Sequence, residues 1–348
     1  MLSFHYNIKV WDVQMRDQNF ENLLDRAQGC LLGQFSGDSL GSLVEFMSPV
    51  KIRSLYPDGL KELKSGGTWS TIAGQPTDDS EMVLALISSL LSSGRYDPEA
   101  ARTAYLAWLN SGPFDCGVTI AQGLNGSPNY ESQANGALMR VCPIGIIGAK
   151  VPLEDVVEYA MLDASITHPN IICKQANALM AAAISFAITN GPDPLELFEK
   201  IREWAKDLAI DDSLVQTIEK AAIAPPDDFI ENHGWVLVAF HNALWQLRNA
   251  DSPQSGITST VMQGGDADTN AAICGALLGA VYGRKRFPPQ WEQSILNCRP
   301  EKGCSGVYRP RPPEYWPHRI FDFAQQLLTE YNELNDQEYS EIKEKAAM

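Results

Sequence analysis

Residues 263–270, QGGDADTN, run directly into AAICGALLGAVYG (271–283), a stretch without a single charged residue. A helix of Ala, Gly, Ile, Leu and Val on nearly every side has no polar face, so it belongs in a core, where its small residues let neighbours pack closely. At the point where it starts, however, Asp266, Asp268 and Thr269 follow two glycines that let the backbone turn sharply. The chain must therefore bring carboxylates to the edge of its own interior.

Asp and Thr are preferred N-cap residues, and one such cluster reads as capping as readily as chemistry. The sequence holds a second. TDDS (77–80) again precedes an apolar periodic run, Met82 to Leu91. Capping needs one oxygen, whereas each cluster offers carboxylates plus a hydroxyl. Four like charges brought together repel one another in a partly dry site, and bound divalent cations would compensate them. We read the clusters as cation ligands rather than as a pair of caps. Oxygen-only donors without His or Cys suit Mg²⁺, Mn²⁺ or Ca²⁺ rather than zinc.

With 43 acidic against 27 basic residues the net charge is −16, which disfavours a nucleic-acid or anionic-membrane partner. Seven cysteines without Cys-x-x-Cys spacing read as reduced core residues. Lys9 and Asp12 interrupt what would be a signal sequence, and no stretch reaches the ~18 uninterrupted apolar residues of a membrane span. The expected location is the cytoplasm.

Residues 2–10 alternate apolar and polar at Leu2, Phe4, Tyr6, Ile8 and Val10, the pattern of a strand. Helical periodicity begins at Asn19, with Gly29 and Gly33 four apart so that another helix can come close. Asp38 in GDSLG (37–41) reads as a cap of the next helix. Glu45, between Val44 and Phe46, reads as a carboxylate with a raised pKa if partly desolvated. Residues 48–76 read as a long irregular connection. SGPFDCG (111–117) places Asp115 in a constrained loop, as an Asx-turn or cap on its own evidence. The small-residue loop SQANG (132–136) enters an apolar run, where free backbone N–H groups could hold a phosphate oxygen. His168 precedes Pro169 at the start of a long helix, and residues 309–317 read as a surface strap. Without a repeat or βαβ alternation, the economical reading is a single compact all-α domain.

Taken together, five ordered blocks resemble the ADP-ribosylglycohydrolase family: GDSLG (37–41) with Glu45, TDD (77–79), NGALMR (135–140), Thr167 with His168, and GGDADTN (264–270). The resemblance implies a helical fold with two Mg²⁺ or Mn²⁺ ions between the acidic clusters, held by Thr77, Asp78, Asp79, Asp266, Asp268 and Thr269. It implies Asp115 near the scissile ribose, Glu45 as a mobile acidic residue, His168 beside the ADP-ribose, and Ser132, Gln133, Ala134, Asn135 and Gly136 around its diphosphate. Ala267 departs from the Thr common there, at a position between the ligands that need not face a metal.

The implied reaction removes ADP-ribose from a modified protein, with arginine as the expected acceptor. Cleavage at the ribose C1″ develops oxocarbenium character, the leaving group needs a proton and water needs activation. Asp115 is the expected general acid/base, with Glu45 the second candidate. The resemblance covers a domain over residues 19–333, leaving residues 1–18 as an extension and 334–348 as a charged tail. Some bacterial relatives neutralise ADP-ribosyltransferase toxins, and an aromatic arm (Phe4, Tyr6, Trp11) would suit docking into a toxin's active site. Two other readings stay open: a protein that blocks a transferase by its arm, with hydrolysis secondary, and a different two-metal hydrolase, for instance of phosphate esters.

Overall fold

The computed structural model describes residues 3–331, with side chains from residue 19 onward. Its frame is an antiparallel pair of helices, Ser3–Gly41 and the small-residue helix Ala267–Tyr282. Gly29, Gly33, Gly37 and Gly41 recur every four residues along one face of the first helix. They lie on Gly279, Gly275, Ala271 and Asp268 of the second, so closely that a Cβ on any of them would overlap partner backbone. The spacing of Gly29 and Gly33 is thus the visible half of a longer ladder. Such contact draws two backbones together until one helix end sets the position of the other, which is what places Asp268 beside the end of the first helix.

Around this pair the described residues form fifteen α-helices in all, without strands. The strand expected over residues 2–10 is therefore incorrect: from Ser3 the chain is already in the first helix. Alternation over nine residues cannot make a strand where no other segment supplies a sheet, because its N–H and C=O groups would have no partners, whereas a helix pairs them internally. The tail 334–348 lies outside the described residues. Ile171–Asn190 is long and apolar enough to cross a membrane by length and composition, but 78% of that window is buried among other helices, as in a core helix.

Other corrections concern connections. Residues 48–76 are not wholly irregular, since Pro49–Leu55 is a helix capped by Ser48, whose Oγ accepts from the Lys51 N–H. The apolar run after the loop 132–136 opens as a 3-10 turn, Leu138–Arg140, and only then becomes a helix, Cys142–Ile147. Three of the loop's N–H groups are already engaged, that of Ser132 with the Asn129 carbonyl, that of Asn135 with the Gly234 carbonyl and that of Ala134 with Ser132 Oγ.

The strap at 309–317 is bolted to the interior. Arg311, 5% exposed, donates from Nε and Nη2 to the two oxygens of buried Glu81 at 2.7 and 2.8 Å. The Trp108 indole N–H adds a third bond to Glu81, at 2.8 Å. Removing one partner of such a pair leaves a charge buried alone, so Arg311→Met should cost about 3–5 kcal/mol, read from the urea midpoint. A loss below ~1 kcal/mol would show that the strap is not held by this pair.

Candidate active site

The two acidic clusters meet where the first helix ends. Asp266 and Thr77 are the N-cap residues of Ala267–Tyr282 and Asp78–Ser93, yet neither makes a side-chain capping bond. Asp38 does the capping of Asp78–Ser93 from the neighbouring helix, with its carboxylate accepting from the Thr77 N–H at 3.0 Å and the Ser80 N–H at 3.1 Å. The sequence reading of Asp38 as a cap of the next helix is incorrect: Asp38 lies within the first helix, Ser48 caps the next one, Pro49–Leu55, and Asp38 caps a helix that only packing brings near. With that end capped by another residue, Asp78 and Asp79 are left for other work.

A cavity of about 480 Å³ opens here. Glu45, Asp78, Asp115, Asp266, Asp268 and Thr269 line it, together with His168 and the 134–136 loop. Glu45, Asp115 and Asp268 each bring one oxygen to within 4.8 Å of the others, a grouping that could hold a metal ion. Thr77 and Asp79 lie one layer behind, with the Thr77 hydroxyl 3.0 Å from both Asp38 Oδ1 and Asp79 Oδ2.

Few donors meet these carboxylates. Asp266 Oδ2 accepts from the Asn135 amide at 2.6 Å, and Asp115 Oδ1 accepts from the Cys116 N–H at 2.8 Å. Trp69 donates its indole N–H to Glu45 Oε2 at 2.6 Å, reaching in from the long connection, where no sequence signal marked it. Asp79 Oδ1 is buried with no partner at all.

Ser132 and Gln133 do not turn their side chains into this cavity. Ser132 Oγ sits 2.9 Å from the Thr119 hydroxyl, and Gln133 Oε1 accepts from the Trp235 indole N–H at 2.8 Å.

Burial, reinforced by mutual repulsion, raises the carboxyl pKa values. Burial and then the neighbouring Asp115 charge push Glu45 up to about 8. Asp78, Asp79 and Asp268 are held well above the carboxylate range by burial first and by a neighbouring charge second, that of Asp115 on Asp78, of Asp38 on Asp79 and of Glu45 on Asp268. Asp115 and Asp266 are raised, chiefly by burial. A concentration of oxygen donors with an orphaned buried Asp79 oxygen and no Lys or Arg among the cavity-lining residues is the chemistry of a hard divalent cation site. The donors therefore fit Mg²⁺ or Mn²⁺.

These shifts have a measurable sign. The folded-state values lie above the ordinary ones, so this contribution to stability is complete below about pH 4 and is lost as pH rises through the folded values, about 6 for Asp38 and about 8 for Glu45. In chelator, the melting temperature should fall between about pH 5 and about pH 8, and Mg²⁺ or Mn²⁺ should restore it mainly at the upper end. A melting temperature indifferent to metal at about pH 8 would count against the cation site.

Comparison with known proteins agrees with this geometry. The family model described as ADP-ribosylglycohydrolase matches residues 19–333. The ADP-ribosyl-[dinitrogen reductase] glycohydrolase of Rhodospirillum rubrum is 31% identical over 277 residues, covering 77% of this chain and 89% of that protein. The ADP-ribosylarginine hydrolase Tri1 of Pseudomonas putida (strain GB-1) is 26% identical over 292 residues, covering 79% and 75%. A solved structure titled ADP-ribosylglycohydrolase-related protein complex superposes with a TM-score of 0.73 at 24% identity, over 90% of this chain and 100% of that one, and so shares the fold. With a family match spanning nearly the whole chain and an acid-lined cavity where its two acidic motifs converge, the protein belongs to the ADP-ribosylglycohydrolase family.

Proposed function

We propose that the protein is a metal-dependent hydrolase that releases ADP-ribose from arginine side chains of modified proteins. The observation that carries this is the convergence of Glu45, Asp115 and Asp268 in a cavity that also takes in His168 and the 134–136 loop. The carboxylates suit a reacting sugar, and His168 with the loop suits the remainder of a nucleotide. A guanidinium leaving group favours a mouth rich in carboxylates and aromatic faces. Phe46 stands 60% exposed next to Glu45, and the Trp69 and Phe114 rings lie 5.8 Å apart. The likeness to a relative named as an arginine hydrolase supports the same acceptor.

Asp78, Asp79, Asp266 and Asp268, with the Thr77 and Thr269 hydroxyls, would hold two Mg²⁺ or Mn²⁺ ions. When bound, such ions neutralise the acids, orient ribose hydroxyls and lower the pKa of water. Asp115, its carboxyl raised by burial and oriented by the Cys116 N–H, is assigned to move the proton between water and leaving group. Glu45, steadied by Trp69, is the second proton carrier at the same mouth.

The direct test is release of ADP-ribose from an arginine-ADP-ribosylated protein, with Mg²⁺ and with chelator. Metal-dependent release is expected. Binding of ADP-ribose without release from arginine would move the acceptor to serine or another residue, and absence of both would overturn the hydrolase reading. We place the reaction in the cytoplasm, which seven free cysteines support.

We further propose that residues 1–18, outside the matched span, bind an ADP-ribosyltransferase toxin. Deleting them should abolish capture of such a transferase and leave hydrolysis within about twofold. Undiminished capture by the shortened chain would refute the arm's role.

A further inference from the structure

His168 is fully buried yet lines the cavity, with its Cε1 edge so near the 134–136 loop that a Cβ on Gly136 would come to 3.1 Å from it. Its two ring nitrogens are treated very differently. Nε2 is buried with no partner, whereas Nδ1 lies 2.7 Å from the Thr167 hydroxyl.

The direction of that bond follows from what stands behind Thr167. Arg140 donates from Nη1 to Thr167 Oγ1 at 3.0 Å, and a guanidinium has only donors. Arg140 cannot swing away. It is fully buried, with Nε bonded to Asp163 Oδ2 at 3.0 Å and Nη2 to the Asp163 carbonyl at 2.9 Å. Its guanidinium lies 4.3 Å from the centre of the Tyr105 ring, and the Tyr105 hydroxyl donates to Asp163 Oδ1 at 2.8 Å. The Thr167 oxygen is therefore the acceptor toward Arg140, and its single proton has the His168 Nδ1 lone pair to go to. The reverse arrangement would strand a buried hydroxyl proton, a loss of about 1–3 kcal/mol.

We infer that Thr167 is a positioning residue that fixes His168 as the Nε2–H tautomer, so that the cavity wall presents one neutral N–H donor to an acceptor oxygen of the ligand. The identity of that ligand, ADP-ribose, rests on the hydrolase reading; the tautomer does not. The opposite tautomer would turn a lone pair toward the same oxygen and repel it. An imidazolium is excluded by burial and the adjacent Arg140 charge, which push the His168 pKa down to about 3. The chain Tyr105, Asp163, Arg140, Thr167 thus joins two helices and a turn in setting one proton, as outer partners of a functional imidazole commonly do.

The test has two arms. Long-range ¹H–¹⁵N correlation of the free protein, with His168 assigned through His168→Gln, should show a protonated Nε2 and a bare Nδ1. Calorimetric titration with ADP-ribose should then find binding weakened about tenfold or more in Thr167→Val, while Thr167→Ser, which keeps the hydroxyl, stays within about threefold of the parent. A proton on Nδ1 in the free protein overturns the inference, whether or not the valine variant folds. So does a folded Thr167→Val variant of unchanged affinity in a protein that otherwise hydrolyses normally, and that result leaves the hydrolase reading standing. If the unsubstituted protein binds no ADP-ribose, the ligand half of the inference and the hydrolase reading fall together.

Discussion

Asp268→Ala should lower metal-dependent ADP-ribose release by about 10³-fold or more, the scale of losing a principal electrostatic group at a reacting centre. The same substitution should leave the fold intact or firmer. The Asp268 carboxyl is buried, and its pKa is raised by burial and by the charges of Glu45, Asp79, Asp266 and Asp38. Its Oδ1 accepts from the N–H of the next residue, Thr269, at 2.9 Å. Without metal such a group opposes folding near neutral pH, so deleting it relieves repulsion. In chelator the variant should melt at or above the parent's temperature, and with Mg²⁺ or Mn²⁺ it should melt below it, having lost part of the cation site. A variant that melts lower under both conditions would mean Asp268 is structural. One that retains activity would remove it from the site.

Gly33→Ala should destabilise the protein by about 3 kcal/mol or more. In an exposed helix the change would be worth up to ~1 kcal/mol in the opposite direction, because alanine has the better helix propensity. Here the added methyl would overlap the Gly275 carbonyl of the opposing helix, and backbone on both sides leaves nothing flexible to yield. The overlap outweighs the propensity. Activity should fall further than stability alone explains, because parting the helices draws Asp38 from the Thr77 and Ser80 N–H groups and moves Asp268 from Glu45. Ser36→Ala, on the same helix at a buried hydroxyl without a partner, is the matched control and should be neutral within about 0.5 kcal/mol. Equal tolerance of both substitutions would disprove the glycine ladder as the frame of the fold.

The two glycine-ladder helices also show where sequence reasoning stops. That residues 271–283 form a buried helix follows from composition alone, since a chargeless run has no face for water. That TDDS (77–80) and QGGDADTN (263–270) are helix starts follows from residue type and spacing, as do the ends at Gly94 and Gly191, both in the left-handed conformation. These are local properties, fixed within one or two turns of chain. Residues 2–10 misled because nine residues of alternation carry no information about whether a sheet exists for them to join.

Partnership across the chain was beyond local reading. Asp38 looked like a cap of its own neighbourhood and proves to cap a helix that begins forty residues on. Trp69 sits in a connection with no periodicity and becomes the donor to Glu45. Arg140 closes one of the sequence blocks and Arg311 lies in the strap, and nothing local shows that each is buried against a carboxylate, Asp163 and Glu81. A sequence names the groups able to ionise, donate or accept. Which of them lose their water, and which others they meet in its place, is decided only when helices distant in the chain are packed together, because burial and distance set the energy of a charge far more strongly than residue type does.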